Sequence, residues 1–187
     1  MCLQKERLLQ PKKPRPIFVG GVHGVGKTTL CNELALEFRI PHLTASNLIK
    51  EHQKIPHSQH KVVHDIEGNQ GALVEALSAI EITSLTYILD GHYTLIDSEN
   101  EVKRIPLGAF TRVSPLSLVI VTGKPCEIKE RLQSRDSTEY TVDFIEYMQE
   151  LEIKHAQYIA QQTGAHLEIV SAQKVAGLKS IIESLFA

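Results

Sequence analysis

The chain has 187 residues, a formal net charge of −2, three cysteines and no tryptophan. That length suits one domain with a full core and is short for two. The near-neutral balance gives no general attraction to nucleic acid, no apolar run reaches the length of a membrane span, and no secretory core segment opens the chain. Cys2, Cys31 and Cys126 are scattered without a CxxC pair, so they read as free thiols of a reducing cytoplasm.

Residues 1–15 carry Lys5, Arg7, Lys12, Lys13 and Arg15 against one acid, Glu6, with Pro11 and Pro14 opposing a helix. They read as a flexible, solvated basic leader; a basic arm that touches a partner is the alternative. Ile17, Phe18 and Val19 then form the apolar run of a buried strand. Behind it comes Gly21-Val22-His23-Gly24-Val25-Gly26-Lys27-Thr28-Thr29, which has the full GxxxxGK[ST] spacing of a phosphate-binding loop. Glycines let successive backbone N–H groups turn toward an anion, and the helix that follows adds its N-terminal donors and dipole. In such a loop Lys27 reaches the β- and γ-phosphates and Thr28 ligates Mg²⁺. Leu30, Leu34 and Phe38 fall at helical spacing after it. This motif predicts binding of a nucleoside triphosphate.

A short strand is expected at His42–Thr44, and a helix from Ala45 with Ser46 as its N-cap. Residues 50–64 mix Lys50, Lys54 and Lys61 with His52, His57, His60 and His64. Three readings stand for them: a polar flap meeting an anionic substrate, a solvated helix, or a metal site on His57, His60 and His64. Ile66, Leu73, Leu77 and Ile80 predict a helix, followed by the strand Tyr87–Asp90. Residues 91–111 read as a small hairpin or ordered loop. Leu116–Val121 is the strongest buried strand, with a helix expected over Cys126–Gln133. Thr141 should cap a long helix that Gly164 stops, His166–Val170 should be a last strand, and Val175, Leu178, Ile181 and Leu185 suggest a closing helix. Strand and helix alternate throughout, which predicts an α/β domain with one parallel sheet covered on both faces.

Asp90 ends an apolar strand, where open α/β sheets place their ligand crevice, and a carboxylate there can hold Mg²⁺ together with Thr28. A turn cap is its plainer reading. His92 follows at once, and a neutral imidazole beside a metal can orient a water or touch a phosphoryl oxygen. Arg131 and Arg135 lie one helical turn apart before a polar stretch, so both can close over phosphates as charge-stabilising catalytic groups; ion pairing with Glu127, Glu130 or Asp136 is the alternative.

The phosphate loop, the strand ending in Asp90-Gly91-His92, Thr94, the Ile105-Pro106 step and the Arg131/Arg135 segment together resemble the adenylate kinase superfamily, with the closest likeness to archaeal-type adenylate kinases. The resemblance spans roughly residues 16–186. It implies a P-loop NTPase three-layer α/β/α sandwich over residues 16–187, a five-stranded parallel sheet of order 2-3-1-4-5, a monophosphate-binding flap near 45–65 and a small lid near 134–141. It further implies an ATP- and Mg²⁺-dependent nucleoside monophosphate kinase, with a small-molecule phosphoryl acceptor and neither membrane nor nucleic acid as partner. Lys50, Lys61, Lys103 or Arg104 would hold the acceptor phosphate. The chain departs from the family on the acceptor side. Between Arg15 and Arg104 the only arginine is Arg39, at the end of the first helix. A kinase for a small hydroxyl-bearing metabolite and an ATP-dependent switch protein therefore stand as alternatives.

Overall fold

The computed structural model describes residues 13–54, 66–97, 99, 101–135, 139–172, 179–180 and 182–183. In chain order the elements are β1 (Arg15–Gly20), α1 (Lys27–Phe38), β2 (His42–Thr44), α2 (Ala45–Gln53), α3 (Ile66–Ala79), β3 (Thr86–Asp90), β4 (Thr94–Ile96), β5 (Val102–Arg104), α4 (Leu107–Val113), β6 (Ser117–Thr122), α5 (Pro125–Arg135), α6 (Val142–Thr163) and β7 (His166–Ser171).

Five of the strands make one parallel sheet in the order β2-β3-β1-β6-β7, while β4 and β5 pair with each other as an antiparallel hairpin. Counted within the sheet alone, that is the order 2-3-1-4-5. The period-two geometry of its strands sorts the core into two layers. Ile17, Val19, Ile88, Val119 and Val121 face α1 and α5 with Leu30, Leu34, Ile128 and Leu132. Phe18, Tyr87, Leu89, Leu118 and Ile120 point the other way, toward Leu48, Leu73, Phe110 and Ile159 of α2, α3, α4 and α6. Both faces are covered, which is why β1, β3 and β6 are buried nearly throughout.

Local signals act where the chemistry is local. The Thr141 hydroxyl accepts from the Phe144 N–H at 3.1 Å and starts α6, and Gly164 ends it in the left-handed region with φ 70°. Other boundaries shift. The second helix begins at Ala45 with Thr44 in the cap position, because β2 runs straight into it, so Ser46 is not its N-cap. α5 continues to Arg135, and β1 already includes Arg15, whose guanidinium donates to the Ser114 and Pro115 carbonyls. The segment after β3 holds the expected hairpin and also α4, whose seven residues are too short for periodicity to show. Most of the expected closing helix, His57, His60 and His64, and residues 1–12 of the leader lie outside the described residues. Cys31 and Cys126 are free thiols, and no described helix is long and apolar enough to cross a membrane.

His155 of α6 is a titratable side chain inside this core, 4% exposed, its Nε2–H donating to the Ile105 carbonyl at 2.7 Å. Burial lowers its pKa below the ordinary 6.5; the Ile105 bond opposes that shift and the nearby Arg104 charge adds to it. A histidine depressed in the folded state leaves the unfolded chain binding more protons below about pH 6.5, so its contribution is present above that pH and lost as pH falls. Denaturant midpoints measured from pH 7.5 to 5 should fall, and His155→Gln should flatten that fall relative to wild type.

Candidate active site

The phosphate loop joins β1 to α1 at the carboxyl edge of the sheet. Gly21 has φ 142°, and a Cβ there would lie 2.5 Å from the Val121 carbonyl oxygen of the neighbouring strand, so only glycine lets the loop lie so close. Gly26, at φ 105°, turns the chain into α1. Val22 and Val25 are buried anchors, whereas His23 and Gly24 are only partly covered. Lys27 opens the helix with its Nζ 2.8 Å from the Gly21 carbonyl and 3.1 Å from that of Val22, and the residue is 6% exposed. The ammonium is thus held within the loop rather than out in solvent. Thr28 and Thr29 are exposed on the first turn, where helical N–H groups have no intrahelical acceptor.

Asp90 ends β3, level with Val19 of β1 and Thr44 of β2. Its Oδ2 accepts a 2.6 Å hydrogen bond from the Thr28 hydroxyl. The two expected metal ligands are therefore in contact across 62 residues of chain. An oxygen pair of this kind suits a hard cation such as Mg²⁺ that keeps most of its water. Beside it stand Cys31 of α1 and His42 of β2. Burial and the Asp90 charge hold the Cys31 thiol far above its usual range, and burial lowers the His42 pKa against the pull of Asp90.

On the other side, His92 packs its ring on His23 at 4.0 Å between centroids, with only 16% of its side chain exposed. Burial drives its pKa well below 6.5, with the Lys27 and His23 charges acting in the same direction and a backbone hydrogen bond with Gly21 opposing them. What holds this segment is Glu152 of α6, which the sequence did not single out. Its Oε1 accepts from the Thr94 N–H at 2.8 Å and the Thr94 hydroxyl at 3.0 Å, and its Oε2 accepts from the Tyr93 N–H at 3.1 Å. Glu152 is 1% exposed, and burial raises its pKa against the hydrogen bonds and the Lys27 charge. The available signal was its place, with His155, on the stripe Ile145, Met148, Ala156 and Ile159 that α6 buries.

Arg131 donates from Nη1 to the Gly24 and Val25 carbonyls at 3.1 and 3.2 Å, and from Nη2 to Glu127 at 3.2 Å. In this arrangement it braces the outer side of the phosphate loop. Arg135 closes α5, and its side chain lies outside the described residues, as do residues 136–138 of the expected lid. On the acceptor side, α2 forms the first part of the expected flap, and residues 55–65 are outside the description. Lys103 is paired with Glu101 and Asp97, and His52 with Glu75. Arg104 is exposed on β5, and Lys61 is not described.

Removing the Glu152 carboxylate would strand three buried donors. Glu152→Ala should cost roughly 2–5 kcal/mol of stability by urea unfolding, and Glu152→Gln distinctly less, since an amide oxygen keeps part of the acceptor capacity.

The AAA domain family matches residues 20–149, well over half of the chain. No curated protein sequence matches significantly. Among solved structures, a gluconokinase from Sinorhizobium meliloti 1021 superposes with a TM-score of 0.52 at 17% identity, over 94% of this chain and 98% of that one. A sugar kinase from Janibacter sp. HTCC2649 gives 0.49 at 17% identity over 87% of each chain. An uncharacterized protein from Eubacterium ventriosum ATCC 27560 gives 0.48 at 11% identity, over 92% of this chain and 98% of that one. Loop, sheet order and family match agree: the chain belongs to the AAA domain family and carries the fold of a P-loop kinase.

Proposed function

We propose that the protein is a Mg²⁺- and ATP-dependent phosphotransferase that moves the γ-phosphoryl group of ATP directly to a small acceptor, a nucleoside monophosphate of the adenylate-kinase type. The observation that supports the donor half is the joined set of Lys27, the loop backbone and the 2.6 Å Thr28–Asp90 contact at one end of the sheet. Mg²⁺ at Thr28 and Asp90 would neutralise charge on the β- and γ-phosphates. The loop N–H groups and the α1 N-terminus cradle the triphosphate, and Lys27 exchanges its two carbonyl partners for phosphate oxygens. Arg131 stiffens the loop from outside, and Arg135 is the candidate for charge stabilisation during transfer.

An acceptor that already carries an anionic oxygen suits this site, because the carboxylates of Asp90 and Glu152 are already committed. Asp90 accepts from Thr28, and Glu152 from Tyr93 and Thr94. Phosphoryl transfer to a phosphate oxygen requires positioning and charge stabilisation rather than a base. The opposite observation supports a second reading, a hydroxyl-bearing metabolite such as a sugar. Arg39 is the single arginine between Arg15 and Arg104, and Lys103 is already paired with acids, so cations for an acceptor phosphate are scarce.

Incubation with ATP, Mg²⁺ and a panel of monophosphates, sugars and sugar acids, followed by phosphorus NMR, separates the two readings. A diphosphate product is expected; phosphorylated sugar selects the second reading, and ATP hydrolysis indifferent to every acceptor overturns both. Lys27→Met should lower turnover by roughly 10²-fold or more, with the circular dichroism spectrum retained. Arg135→Ala should lower kcat much more than it weakens ATP binding; equal losses would make it a binding group only.

A further inference from the structure

We propose that Cys31, His42 and Asp90 form a site for a thiophilic divalent cation of the Zn²⁺ kind, and that filling it opposes the Mg²⁺-dependent reaction. The three side chains come from three elements. Cys31 lies one helical turn beyond Lys27 on α1, His42 begins β2 and Asp90 ends β3. The β2–β3 register pairs His42 with Ile88 and Thr44 with Asp90. Residues two apart on a strand share a face, so His42 and Asp90 both turn toward the layer that holds Cys31. One ligand atom from each residue lies within 4.8 Å of the other two.

The histidine carries the argument. Its Nδ1 lies 2.7 Å from the Asn32 side-chain oxygen, an acceptor, so Nδ1 bears the proton and Nε2 a lone pair. Nε2 is buried without a hydrogen-bond partner and lies 3.9 Å from Asp90 Oδ2, in a side chain only 10% exposed. A ring nitrogen oriented by a bond at its other nitrogen is how metal-bound histidines are held. A sulfur, an imidazole nitrogen and a carboxylate oxygen make a donor set for Zn²⁺; Mg²⁺ takes oxygen ligands and keeps its water. As the sulfur–metal bond forms, the thiol proton leaves to solvent, with no change of oxidation state. The ion would draw on the carboxylate that Thr28 now uses. The antagonism rests on the phosphotransferase reading; the binding does not.

Titration of the full-length protein with Co²⁺, without nucleotide, tests the site by absorbance. One equivalent should produce a tetrahedral visible spectrum with a thiolate-to-cobalt charge-transfer band, and Zn²⁺ should displace it. Cys31→Ala should abolish the band, and His42→Gln should weaken binding at least tenfold. No thiolate band overturns the site, as does a band that survives Cys31→Ala and disappears in Cys126→Ser. If Cys31→Ala fails to fold, His42→Gln decides alone, and undiminished affinity overturns the site. Stoichiometric Zn²⁺ should lower Mg²⁺-ATP turnover several-fold in wild type and not in Cys31→Ala, which keeps its basal activity. Zinc that binds as described but leaves turnover unchanged overturns the antagonism. If wild type shows no turnover with any acceptor, the phosphotransferase reading fails and the cobalt spectrum still judges the site.

Discussion

The carboxylate of Glu152 is the constraint on which the carboxyl edge of the sheet depends. An acid buried to 1% exposure is costly unless its lone pairs are filled, and here backbone and hydroxyl donors of Tyr93 and Thr94 fill them. The segment that meets this requirement is the one leaving Asp90, so α6 fixes the path of the chain just beyond the candidate metal ligand. Tyr93 continues the linkage, its hydroxyl donating to the Val119 carbonyl of β6 at 3.2 Å and its ring stacking on Phe110 of α4. Helix, loop and sheet are held by the same few groups.

The two halves of the site are built from different material. The donor half is mostly backbone: glycine-shaped carbonyls and amides, one lysine folded onto them and one arginine bracing them from outside. Such a frame requires little of its neighbours and is rigid once β1 is locked between β3 and β6. The proposed acceptor half would draw on side chains of short elements, and in the structure Lys103 is already paired with Glu101 and Asp97. An acceptor held there would have to displace existing ion pairs, which at the surface are screened by water and salt.

The same division decides how much of the site is legible in the sequence. The loop was legible because backbone cradles impose spacing on glycine, and spacing survives in a linear text. Asp90 was legible because a carboxylate closing an apolar strand has few structural uses. Strand–helix alternation pointed only to a parallel sheet covered on both faces; its strand order was implied by the resemblance to a known superfamily alone. Glu152 was not legible, because nothing in a helix marks an acid as inward-facing until its stripe is traced through Ile145, Met148 and Ile159. Arg131 reads in the sequence as a phosphate contact or as a partner of Glu127; in the structure it donates to Glu127 and also to the Gly24 and Val25 carbonyls, which the fold brings from 107 and 106 residues away. α4 was missed because seven residues after a proline carry no period.

Gly20 and Tyr93 illustrate a different consequence of close packing. A Cβ on Gly20 would stand 2.3 Å from a ring carbon of Tyr93, which is itself completely buried. Neither position is free to drift alone: a larger residue at 20 is tolerable only where the ring at 93 has already shrunk. In this chain the glycine and the buried ring thus act as one unit of volume, shared across the floor of the sheet's carboxyl edge.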